Sequence, residues 1–300
     1  MGRLSPTDYV GRFAPSPSGA LHFGSLLAAL ASFLDARAHN GRWLVRMENL
    51  DHSREAPGAA DLILHTLEAF HLHWDGNVLF QSQRREAYRQ ALDQLLQDGT
   101  TYPCHCSRQR IQEIGGIYDG HCRQQPASAS DTSATRIKVP AANWSFTDRI
   151  QGQFEQNLAQ QCGDFVLHRR DGIPAYQLAV VVDDGWQGIT DIVRGFDLIE
   201  STPRQLYLQS RLGLPAPRYA HIPTASNQAG QKLSKQGLAR PLDASHAQQA
   251  IYQALKFLGQ NPPQMLLEEV ATTQIDWAIR HWDIQRVPKL ANIPVEPEPE

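Results

Sequence analysis

The stretch YVGRFAPSPSGALHFGS, residues 9–25, constrains the fold of this chain more than any other. A short apolar strand must end at Pro15 and Pro17, because neither carries an N–H and each biases the residue before it towards extended backbone. Gly19 supplies a permissive turn position. From His22 onward, HFGSLLAALASFLDARAHNG is rich in Ala and Leu, which predicts a helix closed by Gly41 at its C′ position. A strand feeding a helix through such a turn leaves backbone N–H groups and a positive dipole end able to receive a phosphate. His22 adds a side-chain donor there, and Gly24 lets a flat ring approach the helix. An ordinary βα turn with a surface histidine has the same pattern, so this stretch alone does not decide function.

The following segments repeat the rhythm. RWLVRMENLD (42–51) reads as a strand ending in Glu48, Asn49 and Asp51. PGAADLILHTLEAFHLHW has Pro57 at a helix start, and SQRREAYRQALDQLLQDG predicts a helix capped by Ser82 and closed by Gly99. Alternating strands and helices predict a parallel α/β sheet. The rhythm stops near residue 101. From TRIKVP to about Asp184 the pattern reads as β-rich, with a hairpin at Arg170-Asp171-Gly172, so 101–190 is expected to be an insertion. STPRQLYLQSRLG, with Ser201 or Thr202 capping and Gly213 ending it, restores the helical pattern before the strand PRYAHIP. The α/β domain therefore covers 1–100 and 191–240. A helical unit is expected over 241–290, and the Pro/Glu-rich residues 291–300 are expected to be disordered.

Three hundred residues with 41% hydrophobic and 20% charged content describe a soluble chain able to bury a core. No run of about 18 apolar residues suits a membrane span. The N-terminus lacks a signal-peptide core, so the expected address is cytoplasmic. A net charge of −3 neither advertises nor excludes nucleic-acid binding, which depends on local patches. Three of the four cysteines crowd into 104–122, which favours a metal over disulfides. Cys104, Cys106 and Cys122 have spacings that suit a structural zinc ion needing a fourth ligand, for which His121 or His105 is the commoner residue type. Cys162 is isolated.

QKLSK, residues 231–235, follows the PRYAHIP strand. Lys232 and Lys235 flank Ser234 on a loop and can neutralise a polyphosphate. Together, PSPSGALHFGS and KLSK resemble the two signature motifs of class I aminoacyl-tRNA synthetases. RFAPSPSGALHFG, MENLD and AYQLAVVVDDGWQGITDIVRGFDLIESTPRQLYL are similar to the glutamyl-tRNA synthetases, in the same order, from about residue 9 to about residue 240. Only 65 residues follow Lys235, too few for the anticodon-binding region of those enzymes. The C-x-C…Y-x3-C cluster also fits the shorter glutamyl-queuosine tRNA(Asp) synthetase family.

That resemblance implies a Rossmann-type parallel-sheet class I catalytic domain, a zinc-containing insertion and a short helical C-terminal unit. It implies ATP with Mg²⁺, L-glutamate and the anticodon stem-loop of tRNA(Asp) as ligands, with a monomer as the expected state. Arg12, Phe13, Ala14, Pro15, Ser16, Glu48, Tyr176 and Arg194 would bind the amino acid. His22, Gly24, Lys232 and Lys235 would bind ATP, with His22 and Lys235 as the catalytic pair. Cys104, Cys106, Tyr118 and Cys122 would hold the zinc, Tyr118 taking the place of a histidine. Arg108, Arg110, Arg123 and Arg136 are candidates for RNA phosphates, with a solvated basic surface as the alternative. For Asp183 and Asp184, ordering the site and a β-turn role stay equally open, and neither is counted among the site residues. The chain departs from the family pattern at Ser25, where a second histidine is usual, at Gln236, where Ser is usual, and at Asn49, where Asp is usual. Two other functions stay open at this point: a short enzyme charging a tRNA 3′ end, and a catalytically silent RNA-binding paralogue.

Overall fold

The structure is a computed structural model and describes residues 9–125, 133–227 and 240–295. β1 (Val10–Phe13) is buried along its whole length and leads through the proline turn into α1 (Phe23–Ala38). β2 (Arg42–Met47) returns parallel to β1, pairing Val10 with Arg42 and Phe13 with Val45. After α2 (Ala59–Ala69), β3 (Leu79–Phe80) adds in parallel to β2. α3 (Arg85–Gln97) completes this half.

The insertion is built from short pieces. β4 (Thr101–Cys104), α4 (Arg108–Glu113) and α5 (His121–Gln124) come first, then β5 (Ala134–Ile137). β6 (Asn143–Asp148) and β7 (Gly152–Asn157) form a hairpin, followed by α6 (Leu158–Gln161) and β8 (Phe165–His168). β4, β5 and β8 make a three-stranded antiparallel sheet. The expected turn is present: the Gly172 N–H donates to the Arg169 carbonyl, Gly172 has φ +79°, and His168 bridges Pro174.

α7 (Tyr176–Gln187) overturns the β-rich reading that ran to Asp184. Its apolar run AYQLAVVVDD alternates too weakly to identify a strand, and burial on almost every side suits a core helix as well. β9 (Asp191–Gly195) follows, then α8 (Thr202–Leu212), which begins after Ser201 and ends at Gly213 in the left-handed region. β10 (Arg218–Ile222) pairs in parallel with β9. The Thr190 N–H donates to the Val10 carbonyl, so β9 lies beside β1 on the side away from β2. The chain thus leaves β1 in opposite directions, and the resulting crevice opens at the carboxyl ends of the strands.

β11 (Thr224–Ser226) precedes the C-terminal helices α9 (Ala247–Phe257) and α10 (Ala271–His281). These helices share one apolar core with α1, β1 and β2. Buried Asp35 of α1 ties the parts together. It accepts from Tyr9 Oη, from Arg149 Nη1 at 2.5 Å and from Trp282 Nε1 at 3.0 Å. Residues 292–294 correct the expectation of a disordered tail: β12 (Asn292–Pro294) pairs in parallel with β11. An open strand edge gives even a proline-rich segment its backbone partners, since Val295 N–H still reaches the Ser226 carbonyl. Residues 296–300 lie outside the described residues.

Two cap assignments also change. α1 ends with Asn40, not Gly41, in the left-handed region at φ 54°. Asn40 and Gly41 donate back to the Arg37 and Ala36 carbonyls, a Schellman ending with Gly41 one place later than expected. Gly41 is needed for another reason: a Cβ there would lie 2.5 Å from the Tyr9 carbonyl oxygen. Ser82 does not cap α3, whose N-cap is Arg84, and sits in a 3₁₀ turn bonded to Asn49. Among the described residues no helix is long and apolar enough to cross a membrane.

Candidate active site and cysteine cluster

A pocket of about 210 Å³ opens at the switch point between β1 and β9. The ends of β1, β2, β9 and β10 bring Arg12, Glu48, Arg194 and Pro223 to its wall, α7 brings Tyr176, and the start of α1 brings His22 and Gly24. Phe13 and Ala14 also line it, although the Phe13 ring points into the core and stacks on Trp43. Pro15 and Ser16 do not line it. Pro15 acts one step back, its carbonyl accepting the Glu48 N–H at 2.9 Å, and Ser16 is exposed. Lys232 and Lys235 lie outside the described residues.

The charges in the wall are ordered by a buried carboxylate that the sequence left unassigned. Asp184 Oδ1 accepts from Arg46 Nη1 at 2.8 Å and from Arg12 Nε at 3.3 Å. Arg46 also reaches Gln187 at 2.8 Å and Glu48 at 3.3 Å. Burial pushes Asp184 up, but the two arginines outweigh it and hold the carboxyl below its ordinary range. Burial likewise pushes Glu48 up, and there Arg46 and Arg12 compensate only in part. Arg12 therefore spends Nε on Asp184, which leaves its terminal amines as the edge for a carboxylate. Tyr176 keeps 39% of its surface exposed, and its phenol is pushed up by burial first and Glu48 second.

Arg194 is 4% exposed and bonds His221, Gln205, Thr202 and the Leu198 carbonyl. Burial makes its charged form costlier and lowers its pKa. His221 and Gln205 were not legible as site residues. His221 is a single polar residue in a buried strand, and Gln205 is one of several polar residues on α8, so nothing local marks either as a partner of Arg194.

His22 is the N-cap of α1, makes no side-chain cap bond, and is followed by a first turn without acidic residues. This helix end is thus electrostatically positive towards the pocket. Asn49, the departure from the family pattern, has a structural partner. Its Nδ2 donates to Ser82 Oγ at 2.9 Å, and its Oδ1 accepts the Ser82 N–H at 3.0 Å.

In the insertion, the sulfurs of Cys104, Cys106 and Cys122 lie within 4.8 Å of one another. Among the described residues the gathered ligand atoms are these three sulfurs, with no histidine nitrogen among them. Tyr118 Oη lies 3.6 Å from Cys104 Sγ and 3.9 Å from Cys106 Sγ. Burial raises the Cys122 thiol, yet hydrogen bonds from the His105 backbone, Tyr118 and the neighbouring cysteines outweigh it and bring it to about 7. Cys106 moves the other way, to about 11, chiefly through burial. Arg136 Nε donates to Cys104 Sγ at 3.2 Å, and its guanidinium stacks over the Tyr118 ring. Arg110 pairs with Asp119 at 2.5 Å. These two candidates for RNA contact are therefore committed to the cluster, while Arg108 is exposed and Arg123 is 3.5 Å from Asp164.

The sequence profile of the family described as tRNA synthetases class I (E and Q), catalytic domain, matches residues 9–260. The glutamyl-Q tRNA(Asp) synthetase of Pseudomonas paraeruginosa is 53% identical over 290 residues, covering 97% of this chain and 99% of the relative. The chain belongs to the glutamyl-Q tRNA(Asp) synthetase family of class I. The protein of the same name from Pseudomonas fluorescens is 51% identical over 294 residues, covering 98% of both chains. Among solved structures, a glutamate-tRNA synthetase from Elizabethkingia anophelis superposes with a TM-score of 0.80 at 24% identity, over 97% of this chain and 68% of the other. That likeness establishes the fold expected from the sequence, a class I catalytic domain on a parallel sheet.

Proposed function

We propose that this chain activates glutamate with ATP and transfers it to the queuosine base in the anticodon of tRNA(Asp). The near-full-length similarity to glutamyl-Q tRNA(Asp) synthetases carries the reading, and the pocket supplies matching chemistry. Glutamate brings two carboxylates and one ammonium into a buried site, and each needs an opposite charge. Among the described lining residues, Arg12 and Arg194 can meet the carboxylates, and Glu48 can take the ammonium. Binding that ammonium beside Glu48 lowers its pKa again, so burial of the free carboxylate is compensated by substrate. Tyr176 covers the amino acid from α7.

In the first step the substrate carboxylate attacks the α-phosphorus of ATP and expels pyrophosphate. No protein nucleophile or base is needed, so catalysis consists of alignment and charge stabilisation. The α1 N-terminus and His22 receive the triphosphate, Gly24 admits the adenosine, and Lys232 and Lys235 neutralise the outer phosphates with Mg²⁺. In the second step a hydroxyl of the queuosine base attacks the acyl carbon and AMP leaves.

The cysteine cluster fits a structural zinc. Three sulfurs already gathered, with a phenol oxygen beside them, form a four-donor set, and a divalent cation would relieve the repulsion among the thiolates. Cys104, Cys106, Cys122 and Tyr118 would hold it, and its role would be to brace the insertion.

Glutamate-dependent ATP–pyrophosphate exchange, measured with tRNA(Asp) present, tests the activation step. Exchange is expected for the wild type, and Lys235→Ala should slow it at least about tenfold. Absence of exchange would favour a silent RNA-binding paralogue.

A further inference from the structure

Arg194 donates through four of its five N–H groups. Nε reaches His221 Nε2 at 3.0 Å, Nη1 reaches Gln205 Oε1 at 2.8 Å, and Nη2 reaches Thr202 Oγ1 at 2.7 Å and the Leu198 carbonyl at 3.3 Å. An arginine Nε–H cannot act as an acceptor, so this contact fixes the histidine tautomer. The lone pair of His221 is on Nε2 and its proton is on Nδ1, which donates to Asp148 Oδ2 at 2.6 Å. Asp148 Oδ1 is pinned in turn by the backbone N–H groups of Ile150, Gln151 and His221, at 3.0, 2.9 and 3.1 Å. Both His221 and Asp148 are buried, and the Tyr219 and Phe146 rings flank the imidazole. The relay starts on β6 in the insertion, crosses β10 and ends on β9 at the pocket wall.

We infer that His221, oriented by Asp148, is a positioning residue that fixes the plane of the Arg194 guanidinium for recognition of the amino acid. The inference rests on reading this pocket as the glutamate site. Its chemistry is specific. A neutral imidazole is the acceptor that Nε–H needs, whereas a protonated one would set two N–H donors against each other. Asp148 favours the required tautomer, and only the correct one leaves a lone pair facing Arg194. Gln205 and Thr202 hold the far end of the fork, so loss of the histidine frees one edge of the guanidinium to rotate without removing its charge. The effect should fall on glutamate rather than on ATP.

The test measures KM for glutamate and for ATP separately, by ATP–pyrophosphate exchange with tRNA(Asp) present, in His221→Asn and His221→Gln. The asparagine amide can still donate to Asp148 but ends short of Arg194. The longer glutamine can place its carbonyl oxygen where Nε2 stood. His221→Asn is expected to raise KM for glutamate about tenfold or more, the worth of one charged hydrogen bond, while KM for ATP stays within about twofold. His221→Gln should recover most of the loss. If His221→Asn does not fold, Asp148→Asn, which loosens the imidazole without emptying the site, should show the same selective rise in smaller measure. An unchanged KM for glutamate overturns the inference, as does a parallel rise in both KM values with glutamine no better than asparagine. A wild type without glutamate-dependent exchange would refute the pocket reading itself, and this inference with it.

Discussion

Tyr118 and Cys122 are joined main chain to side chain, the Cys122 N–H donating to Tyr118 Oη at 2.7 Å. They are four residues apart in sequence, and Gly120, in the left-handed region at φ 76°, makes the turn that folds one back on the other. The phenol oxygen is thereby carried to within 3.6 Å of Cys104 Sγ on a different element. The end of β4 and the segment that follows it thus bring three sulfurs and a phenol oxygen close together.

Tyr118→Phe keeps the ring under Arg136 and removes only the oxygen. If the oxygen completes a zinc site, the variant should bind zinc about tenfold or more weakly in a chelator competition. Equal affinity in wild type and variant would show that the phenol is not a ligand.

Asn49 and Ser82 offer a stability test away from substrate. Asn49→Ala leaves the half-buried Ser82 N–H without its acceptor and should lower unfolding free energy by about 1 kcal/mol in urea titrations. Asn49→Asp retains that acceptor and can accept a hydrogen bond from the Ser82 hydroxyl, so it should lose less stability than Asn49→Ala. Equal losses in both variants would mean that the backbone contact contributes nothing.

His221 makes stability depend on pH in a defined direction. Burial, opposed by Asp148, lowers its pKa to about 4 in the folded protein, whereas an unfolded chain takes up the proton near the ordinary 6.5. Between those values the unfolded state binds more protons, so acid favours unfolding. The contribution is complete above 6.5 and is lost as pH falls towards 4. His221→Gln should flatten this part of the stability profile, and an identical slope in wild type and variant would contradict the assignment.

Asp184 is expected to be indispensable to the wall of the pocket. Asp184→Leu removes the anion shared by Arg12 and Arg46, both buried, and should cost about 3–5 kcal/mol. A variant with wild-type thermal stability would show that the two arginines find other partners.

Much of the nucleotide-binding half was legible in sequence, because its signals are local. Pro15, Gly19, Gly99 and Gly213 each mark a backbone event that few other residues allow. What failed depended on tertiary surroundings. The α7 segment has an apolar run that suits a strand or a buried helix equally, and residues 292–294 become a strand only because β11 leaves an edge open. For the site, Arg12, Glu48, His22, Gly24, Tyr176 and Arg194 were legible through resemblance and do converge on one pocket. For Asp184 the sequence left site ordering and a β-turn role equally open, and His221 was not legible at all, since their roles come from partners 172 and 27 residues away. Pro15 and Ser16 belong to the same motif but face elsewhere, which spacing alone does not reveal.

The most direct measurement is attachment of labelled glutamate, with ATP and Mg²⁺, to tRNA(Asp) prepared with and without queuosine. Nuclease digestion then locates the label. The proposed function predicts label only on the queuosine-containing RNA, and only in the anticodon fragment. Label on the 3′-terminal fragment, or on tRNA(Glu) while both tRNA(Asp) preparations stay blank, would identify a short 3′-end-charging synthetase and contradict it.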